Sequence, residues 1–456
     1  MVTSAMNINV DSLDCSAEPT VLVMGMGLTG ASCARFFAAR GIAAEFADTR
    51  QLPPGIDAIM DAMPDARVHT GDQPAELPPH IRRLVVSPGV DMHSPLIAAA
   101  QRRKIDIVSD IDLFAAECGG KICAITGSNG KSTVTSMLGS MLADVGWSVA
   151  TGGNLGTPAL DLLDPDIEIF VLELSSFQLE RSGLIPTAAS VLLNLSPDHL
   201  DKHTDMDAYA AAKARVYGAC RRAVVNRDVI EFASLVPTGT AMTSFGMDQP
   251  AAGEFGIRVT SRGECIAYGD TLLMSVDDFP LLGRHNLANA LAALALGSVL
   301  GVNPHSLAQA LKRYRGLPHR MQLVVEANGI TWINDSKATN VGAALTSIES
   351  ISDPFVLIAG GDAKGADFEA LANALSGRQC SVILLGRDAL PISRALHSCC
   401  EVTLVETMRD AVVSALAISR PGDTVLLAPA CSSHDMFENF AERGDVFATA
   451  VLELTS

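Results

Sequence analysis

Short runs of apolar residues alternate with amphipathic segments along most of the chain, and this alternation limits the possible folds more than any other feature. Eight runs are typical of buried strands, at 21–25, 83–89, 122–127, 169–176, 190–196, 355–361, 381–386 and 424–430. Helix-like segments such as 31–40, 132–145 and 208–217 lie between them. Buried strands that alternate with helices predict an α/β fold with mainly parallel sheets. Ligands of such folds gather at the carboxyl ends of the strands.

The 456 residues of the chain correspond to about three domains of ordinary size. The first domain is predicted over 21–110 and the second, which opens just before a nucleotide motif, over 111–316. The third is predicted over 317–456. Residues 1–20 lack the basic start and the apolar run of a signal peptide, so we expect a loose N-terminal tail.

Composition argues against several classes of protein. The chain has 33 basic and 51 acidic residues and a net charge of −18, so most of its surface would repel nucleic acids and anionic membranes. Its ten cysteines are scattered without a CxxC pair, which is typical of reduced core thiols in a cytosolic protein. The most apolar stretch, 287–302, contains Asn289 and Gly297 and is shorter than the ~20 residues of a membrane span. It therefore predicts a buried helix, and we expect a cytoplasmic protein without membrane insertion or a nucleic-acid partner.

A glycine motif follows the first predicted strand. Gly25, Gly27 and Gly30 form a GxGxxG pattern before a helix, and Asp48 lies 18 residues after Gly30. Glycines let the backbone approach a diphosphate at a helix N-terminus, and an acid at this spacing commonly holds a ribose. The pattern favours a nucleotide-diphosphate site over a simple tight turn, and by itself it would suggest NAD or FAD.

A second motif, GSNGKST, follows the predicted strand at 122–127 and opens a helix. It consists of Gly127, Ser128, Asn129, Gly130, Lys131, Ser132 and Thr133. Backbone amides of such a loop wrap phosphates, Lys131 can reach the β and γ groups, and Ser132 can ligate Mg²⁺. Ile125 stands where the full Walker pattern has glycine, so the loop is a shortened P-loop. Glu173 closes a buried strand and is a candidate Mg²⁺ ligand beside it, the alternative being a surface acid.

Other polar groups are ambiguous when they are considered alone. His199, within DHLDKH, could ligate a metal or hold a carboxylate, although a lone histidine is more often a structural hydrogen-bonding group. Lys213 lies on a helix-like segment, which by itself indicates a solvated surface lysine. Three polar blocks at 334–340, 360–364 and 431–435 are typical of strand-end loops, and they supply the third domain with ligand-ready groups.

Several motifs together resemble those of one family. They are GSNGKST, the run VLELSSFQLE at 171–180, LNLSPDHLDKH, GRHNLANA at 283–290, LPHR at 317–320, NDSKATN and PACSSHDMFENFAERGD at 429–445. The combination resembles the Mur ligases, the ATP-dependent amide ligases of peptidoglycan synthesis. The resemblance runs from about Val21 to the C-terminus and is greatest to the branch that adds glutamate to UDP-N-acetylmuramoyl-L-alanine. The branch that adds a diamino acid usually carries an Asp-Asn-Pro-Arg block, which this chain lacks.

The resemblance implies an α/β fold with a Rossmann-like UDP-binding domain, a central P-loop ATPase-type domain and a C-terminal Rossmann-like domain. The residues that it assigns to the UDP-linked substrate are Leu28, Thr29, Asp48, Thr49, Arg50, Ser87, Pro88, Gly89, Asn154, Gln178 and His199. To ATP it assigns the P-loop residues Gly127 to Thr133 with Asn286, Asn289, Arg320 and Asp335. To glutamate it assigns Lys337, Thr339, Lys364, Ser433 and Phe440.

The implied catalytic residues are Lys131, Glu173, His199 and Lys213, and the implied metal ligands are Ser132, Glu173, His199 and Lys213. The resemblance gives Lys213 a chemical meaning, because the family uses a carbamylated lysine. An ammonium beside Mg²⁺ would be repelled, whereas a carbamate is anionic and rich in oxygen. The implied cofactors are ATP and Mg²⁺, the implied substrates are UDP-N-acetylmuramoyl-L-alanine and glutamate, and the implied state is a monomer.

Three alternatives remain open at the level of sequence. The first is a ligase of the same kind that adds L-glutamate instead of D-glutamate. The second is a nicotinamide-dependent dehydrogenase, which the GxGxxG pattern suggests but which leaves the P-loop unexplained. The third is a regulatory ATP-binding module without catalysis, which predicts damage among Lys131, Glu173, His199 and Lys213, and none is visible.

Overall fold

The computed structural model describes residues 20–71, 76–154, 156–196, 203–281 and 283–455. The predicted N-terminal tail lies outside these residues, apart from Thr20. The chain divides into two compact units. The first comprises the residues up to Asp278 together with Ala288–Tyr314. The second comprises Phe279–Leu287 and the residues from Arg315 onward.

The first unit begins with a parallel sheet. Its strands are β1 (Val21–Met24), β2 (Ala44–Asp48), β3 (Arg67–Thr70), β4 (Arg83–Val86) and β5 (Asp106–Val108), and its helices are α1 (Leu28–Ala38), α2 (Ile56–Ala62), α3 (Pro95–Arg102) and α4 (Asp110–Glu117). The strand order is β3-β2-β1-β4-β5. The chain moves outward from β1 in both directions, so the loops after β1 and β4 part at the carboxyl ends and leave a crevice there.

The rest of the first unit is built around a larger sheet. Its strands are β6 (Lys121–Thr126), β7 (Val149–Gly153), β8 (Ile169–Glu173), β10 (Ala189–Leu192), β12 (Arg222–Asn226), β13 (Ala241–Phe245), β14 (Phe255–Thr260), β15 (Gly263–Tyr268) and β16 (Thr271–Ser275), with a small separate pair, β9 (Pro186–Thr187) and β11 (Ala219–Cys220). The order is β16-β15-β14-β13-β12-β10-β6-β8-β7. All pairs are parallel except β14 with β15 and β15 with β16. Strand β6 therefore lies inside the parallel part, between β8 and β10.

The helices around this sheet are α5 (Lys131–Asp144), α6 (Ser176–Arg181), α7 (Met206–Ala214), α8 (Arg284–Val299) and α9 (Pro304–Leu311). Short 3₁₀ helices lie at Ala159–Leu162, Arg215–Tyr217, Ile230–Leu235 and Val276–Asp278. In α8 every residue from Ala290 to Leu296 is buried, which confirms the predicted buried helix. Among the described residues, no helix is long and apolar enough to cross a membrane.

The two sheets of the first unit share one apolar core. Phe114 of α4 and Phe170 of β8 meet edge to face with ring centroids 5.2 Å apart. On the surface, Arg35 of α1 pairs with Asp161 through two hydrogen bonds, of 2.9 and 2.5 Å. The Arg181 guanidinium also donates to the carbonyl of Val90 at 2.6 Å. These contacts hold the crevice at the end of β1 against the larger sheet.

The second unit contains one sheet. Its strands are β17 (Gln322–Ala327), β18 (Ile330–Asn334), β19 (Phe355–Gly360), β20 (Cys380–Leu385), β21 (Glu401–Leu404) and β22 (Thr424–Leu427), and its helices are α10 (Val341–Glu349), α11 (Glu369–Leu375), α12 (Ala389–Leu396), α13 (Met408–Ile418) and α14 (Phe440–Thr455). The order is β17-β18-β22-β19-β20-β21, and only β17 runs antiparallel to its neighbour. Separate apolar clusters cover the two faces of the sheet.

All eight predicted strands are present. Six are shorter than their apolar runs, because the terminal polar or glycine residues belong to loops, and β6 and β20 have the predicted length but begin one residue earlier. The predicted α/β class with mainly parallel sheets is confirmed. The antiparallel strands β14 to β16 were not predicted. Each has only two or three consecutive buried residues, with half-buried or exposed residues in the rest of the strand, so they lack the continuous apolar run of a strand covered on both faces.

Candidate active site

The P-loop connects β6 to α5 in the middle of the larger sheet. Gly130 precedes the helix with φ of 81°, a left-handed conformation that favours glycine. A Cβ atom on Gly130 would lie 2.4 Å from Oδ1 of Asn289, so a larger residue there would also require the Asn289 side chain to shift. The loop therefore brings the amides at the start of α5 to the carboxyl end of β6, where they can bind an anion. Asn289, assigned to ATP, lies against this loop.

Lys131 lies over the loop that precedes it. Its Nζ donates to the carbonyls of Gly127, at 2.9 Å, and Ser128, at 2.8 Å. Ser128 is tied down in turn, since its Oγ donates to the carbonyl of Ser196 at 3.1 Å and lies 3.2 Å from the Tyr209 hydroxyl. The amide of Asn129 donates to the Asn194 side chain at 2.8 Å. The cation and the loop amides thus form one preorganised candidate phosphate cradle.

Glu173 ends β8, the strand next to β6, and only 3% of it is exposed. Its Oε2 accepts a hydrogen bond from Ser132 Oγ at 2.7 Å, and its Oε1 accepts one from Asn154 Nδ2 at 2.6 Å. The alternative that Glu173 is a surface acid is therefore wrong. A carboxylate beside a hydroxyl, both buried at a phosphate cradle, is a hard oxygen donor set that fits Mg²⁺.

Lys213 is buried on α7, with 2% exposure, so the alternative of a solvated lysine is also wrong. Its Nζ donates to the Gly127 carbonyl at 2.9 Å and lies 4.6 Å from the centre of the Tyr209 ring. Two lysine side chains, Lys131 and Lys213, therefore reach the same carbonyl from different helices. Their positions 82 residues apart in sequence gave no sign of this meeting.

His199 lies outside the described residues, so its predicted role stays a prediction. The nearby His203 is described and buried. Its ring stacks on Phe177 with centroids 5.3 Å apart, and its Nε2 lies 3.0 Å from Ser176 Oγ. This histidine ends the DHLDKH motif, and no role was predicted for it. Its contacts are those of a structural histidine.

A cavity of about 850 Å³ opens at the crevice of the first sheet and extends to β7 and α6. It is lined by every described residue that the resemblance assigns to the UDP-linked substrate, namely Leu28, Thr29, Asp48, Thr49, Arg50, Ser87, Pro88, Gly89, Asn154 and Gln178. Gln178 is held by a capping box with Ser175 at the start of α6. Asn154 both lines the cavity and contacts Glu173, so the cavity reaches the P-loop site.

Asp48 organises the loop at the mouth of this cavity. Its carboxylate accepts hydrogen bonds from the Met26 amide at 2.7 Å, the Arg50 amide at 2.9 Å and the Arg50 guanidinium at 2.9 and 2.6 Å. Burial acts to raise the pKa of Asp48, but the hydrogen bonds from Arg50 and Met26 outweigh it and lower that pKa to about 2. The carboxylate thus already accepts hydrogen bonds from four donors. The motif alone predicts a carboxylate that is available to bind a ribose.

The cavity has polar lining residues that sequence analysis did not select, among them Asp91, His93, Ser94 and Asp110. Asp110 is the most unusual, because its side chain is buried and its Oδ1 has no hydrogen-bond partner. Burial raises the pKa of Asp110 to about 7. In the sequence, Asp110 marked only a predicted domain boundary, and nothing in its local pattern signals that it lines a cavity.

In the second unit, the three polar blocks meet at the carboxyl ends of neighbouring strands. The Asp335 amide donates to the carbonyl of Leu427 at 2.8 Å, and the Ala430 amide donates to that of Ala338 at 2.9 Å. The Gly360 amide donates to the carbonyl of Pro429 at 2.9 Å. The strand order β18-β22-β19 brings these loops together, so the blocks form one surface rather than three separate loops.

The glutamate-assigned side chains differ in their surroundings. Lys337 places its Nζ 3.9 Å from the centre of the Phe440 ring, and Ser433 is buried. Lys364 is exposed, and its amide donates to Asp362 Oδ1 at 3.1 Å. Thr339 is half-buried in the same loop as Lys337. The unit thus presents an exposed ammonium and a ring-bound ammonium on one edge of its sheet.

Three residues assigned to ATP lie in the second unit. Asp335 is buried, and its carboxylate accepts hydrogen bonds from the Ser347 hydroxyl and from the Met321 amide. Burial raises the pKa of Asp335, which the hydrogen bond from Ser347 and the positive charge of Arg320 partly oppose. Arg320 is half-buried beside it, and Asn286 is buried near the start of α8.

Arg443, which sequence analysis did not select, holds the loops of the second unit from beneath. Its guanidinium donates to Ser336 Oγ at 3.0 Å, to the Ser336 carbonyl at 2.8 Å and to the Cys431 carbonyl at 3.1 Å. Burial lowers the pKa of Arg443 to about 10. The only sequence signal was its place inside the quoted block at 429–445.

Known proteins match nearly the whole chain. The model of a MurD-like N-terminal domain of Mur ligases matches residues 19–109, the Mur ligase middle domain matches 125–297, and the Mur ligase glutamate ligase domain matches 319–431. A UDP-N-acetylmuramoylalanine–D-glutamate ligase of Nitrosococcus oceani is 45% identical over 449 residues, which cover 98% of this chain and 99% of the relative. The enzyme of the same name from Pseudomonas aeruginosa is 44% identical, with 95% and 98% covered.

Solved structures share the fold at low identity. The UDP-N-acetylmuramate–alanine ligase MurC of Thermotoga maritima is 17% identical, with a TM-score of 0.59, over 96% of this chain and 100% of that one. The MurF ligase of Thermotoga maritima in complex with ADP is 18% identical, with a TM-score of 0.58, over 91% and 94%. The three matched domains and the nearly full-length relatives lead to one conclusion: this chain belongs to the Mur ligase family.

Proposed function

We propose that the chain is an ATP-dependent ligase that joins D-glutamate to UDP-N-acetylmuramoyl-L-alanine in peptidoglycan precursor synthesis. The observation that carries the proposal is the cavity of about 850 Å³ that runs from the glycine motif of β1 to Asn154, which contacts the P-loop acid Glu173. A long, UDP-linked substrate bound there would extend from the crevice of the first sheet to the phosphate cradle. A dehydrogenase has no use for that cradle, so the nicotinamide alternative leaves the arrangement unexplained.

The reaction follows from the positions of the groups. The alanyl carboxylate of the substrate attacks the γ-phosphorus of ATP and gives an acyl phosphate and ADP. Lys131 and the amides of the P-loop stabilise the negative charge that spreads over the transferring phosphoryl oxygens. The amine of glutamate then attacks the acyl carbon, and inorganic phosphate leaves. Asn154 and Gln178, which line the cavity, orient the end of the substrate nearest Glu173.

Ser132 and Glu173 would hold a Mg²⁺ ion, and a bound Mg²⁺ supplies positive charge to the phosphate oxygens. Their hydroxyl and carboxylate oxygens lie 2.7 Å apart at the cradle, and both are buried. We further propose that Lys213 carries a carbamate. Its buried Nζ close to the P-loop is placed where an anionic oxygen pair would complete such a donor set, whereas an ammonium would repel the cation.

The loops of the second unit would bind the incoming glutamate. Lys337 and Lys364 supply positive charge on the edge formed by the loops after β18 and β19, which suits the two carboxylates of glutamate. Thr339, Ser433 and Phe440 would frame the same ligand. We propose that the enzyme acts as a monomer in the cytoplasm, and we keep 21–110, 111–316 and 317–456 as its proposed domains.

The decisive experiment measures phosphate release from ATP with the substrates added singly and together. We expect release only when UDP-N-acetylmuramoyl-L-alanine and D-glutamate are both present, and little with L-glutamate. Equal release with L-glutamate would favour the L-glutamate-adding alternative. Release that is independent of the UDP-linked substrate would contradict the ligase proposal, as would an absorbance spectrum of bound NAD(P) in the purified protein.

A further inference from the structure

Three cysteines cluster at the outer corner of the sheet in the second unit, away from the loops assigned to substrates. Cys380 begins β20, and Cys399 and Cys400 precede the edge strand β21. All three are half-buried, and none of them is in a disulfide. They lie at the amino ends of the strands, whereas the glutamate-assigned loops lie at the carboxyl ends. The cluster is thus separate from the proposed ligase chemistry.

The strand register makes Cys380 and Cys400 cross-strand neighbours. Strands β20 and β21 are parallel, and Ser381 lies opposite Glu401. One residue earlier in each chain segment, the same register places Cys380 opposite Cys400. Paired residues on neighbouring strands lie about 5 Å apart and project from the same face. A disulfide needs Cα atoms roughly 4.4–6.8 Å apart, so these two cysteines could be bridged without moving the strands.

The surroundings make one thiol of this pair more acidic than the other. The neighbouring Cys400 thiol lowers the pKa of Cys380, burial opposes this, and the charge of Arg378 adds to the lowering. The neighbouring Cys380 thiol and burial raise the pKa of Cys400, whose Sγ donates to the Leu396 carbonyl at 3.7 Å. Two other groups face the pair: Asp353, which binds Arg378 Nε at 2.6 Å and acts against the thiolate, and Cys399, whose Sγ donates to the Leu396 carbonyl at 3.0 Å.

We propose that Cys380 and Cys400 form a peroxide-sensitive thiol pair, in which Cys380 is oxidised first and Cys400 resolves it to a disulfide. The Cys380 thiolate attacks one oxygen of hydrogen peroxide, the S–O bond forms, the O–O bond breaks, and hydroxide leaves. The product is a sulfenic acid on Cys380. The Cys400 sulfur then attacks the Cys380 sulfur, the S–S bond forms, the S–O bond breaks, and the proton of Cys400 leaves with the hydroxyl group as water.

The other described cysteines provide an internal reference. Burial raises the pKa values of Cys33, Cys123 and Cys431, which keeps these thiols protonated and slow to react. Cys265 on β15 is half-buried like the pair, but the residues opposite it on the neighbouring strands are Arg258 and Ser275, so no thiol lies opposite it. A reaction that follows the proposed chemistry is therefore confined to the pair and leaves Cys265 reduced.

The test treats the reduced full-length protein with hydrogen peroxide, blocks the remaining thiols and maps the tryptic peptides by mass spectrometry. Cleavage after arginine places Cys380 in 379–387 and both Cys399 and Cys400 in 395–409. We expect these two peptides to be disulfide-linked, and the link to disappear on reduction. Failure to find the link, a bond between Cys399 and Cys400 instead, or equal oxidation of Cys265 would overturn the proposal.

Matched variants assign the resolving thiol. Cys400→Ser should lose the link and accumulate a dimedone adduct on Cys380, whereas the neighbouring Cys399→Ser should keep the link at the wild-type yield. Loss of the link in Cys399→Ser alone would show that Cys400 is not the resolving residue. Ligase turnover of reduced Cys380→Ser should stay within about twofold of wild type. This cysteine lies at the amino ends of the strands, whereas the loops assigned to substrates lie at the carboxyl ends.

Discussion

Lys131 is the side chain that most directly couples the fold to the proposed phosphoryl transfer. It begins α5 and donates to two carbonyls of its own loop, so it is already placed beside any phosphate bound there. Loss of one preorganised electrostatic donor typically costs on the order of 10²-fold or more in kcat. We expect Lys131→Ala to show such a loss in phosphate release. Lys121→Ala, an exposed lysine at the opposite end of β6, is the control and should retain turnover. Near-normal activity of Lys131→Ala would remove the P-loop from the mechanism.

Substitutions of Lys213 test the proposed carbamate. Lys213→Ala should keep the fold and be nearly inactive, because the site would lose an anionic oxygen pair. Lys213→Arg should also be poor, since a guanidinium cannot form the carbamate. Short carboxylic acids added to Lys213→Ala should partly restore phosphate release by occupying the vacated space. Intact-mass data recorded at neutral pH without denaturation that show an unmodified lysine in fully active enzyme, or full activity of Lys213→Arg, would refute this role.

At the scale of elements, the loop after β2 depends on one ion pair. Arg50 makes two side-chain hydrogen bonds to Asp48, and Asp48 in turn holds the Met26 amide of the glycine motif. Arg50→Ala should therefore raise the KM for the UDP-linked substrate and leave the KM for ATP nearly unchanged. Arg50→Lys should lie between, because an ammonium keeps the charge but cannot make the bidentate pair. Steady-state kinetics with each substrate varied in turn would measure this, and a selective rise in the KM for ATP would mean that the loop serves a different ligand.

The loop after β19 carries the corresponding test for glutamate. Lys364 is exposed there, so its charge can reach a substrate carboxylate. Lys364→Ala should raise the KM for glutamate several-fold while the KM for ATP stays near wild type, and Lys364→Arg should recover most of the loss. An unchanged KM for glutamate in Lys364→Ala would exclude this loop from glutamate binding.

For the whole molecule, buried Asp110 predicts how stability changes with pH. Its folded pKa of about 7 lies above the value of about 3.9 for an unfolded aspartate. The folded state therefore holds a proton that the unfolded state has lost, and this contribution to stability falls as pH rises from about 4 to about 7. Its full size is on the order of 4 kcal/mol. The acidic neighbour Asp112 also raises the pKa of Asp110.

Thermal unfolding of the ligand-free protein should show this contribution. The asparagine of Asp110→Asn cannot ionise. The Tm of this variant relative to wild type should therefore increase from about pH 5 to about pH 8, as the carboxyl of wild type ionises. Asp61→Asn, an exposed aspartate on α2, is the control and should leave the difference flat. If the Tm difference between Asp110→Asn and wild type does not change with pH, the buried carboxyl does not titrate in this range.

Much of the molecule follows from local sequence. Continuous apolar runs marked eight strands because a strand covered on both faces must be apolar at every position. GSNGKST marked the phosphate cradle because its glycines and its lysine are needed at that spacing. The half-buried hairpin of β14 to β16 and the short strands β3 and β5 lacked such a signal, and the terminal bounds of strands depended on which polar residues entered loops.

The sequence by itself determined the α/β class, the P-loop and the resemblance to the Mur ligases, because each rests on residues close together in the chain. Only the tertiary structure decided that Lys213 is buried beside Gly127, that Asp48 is occupied by Arg50 and Met26, and that Asp110 lines the cavity at the end of β1. Burial and hydrogen-bond partners depend on strands that are neighbours in the sheet but distant in the chain, and a residue's own surroundings in sequence do not record them.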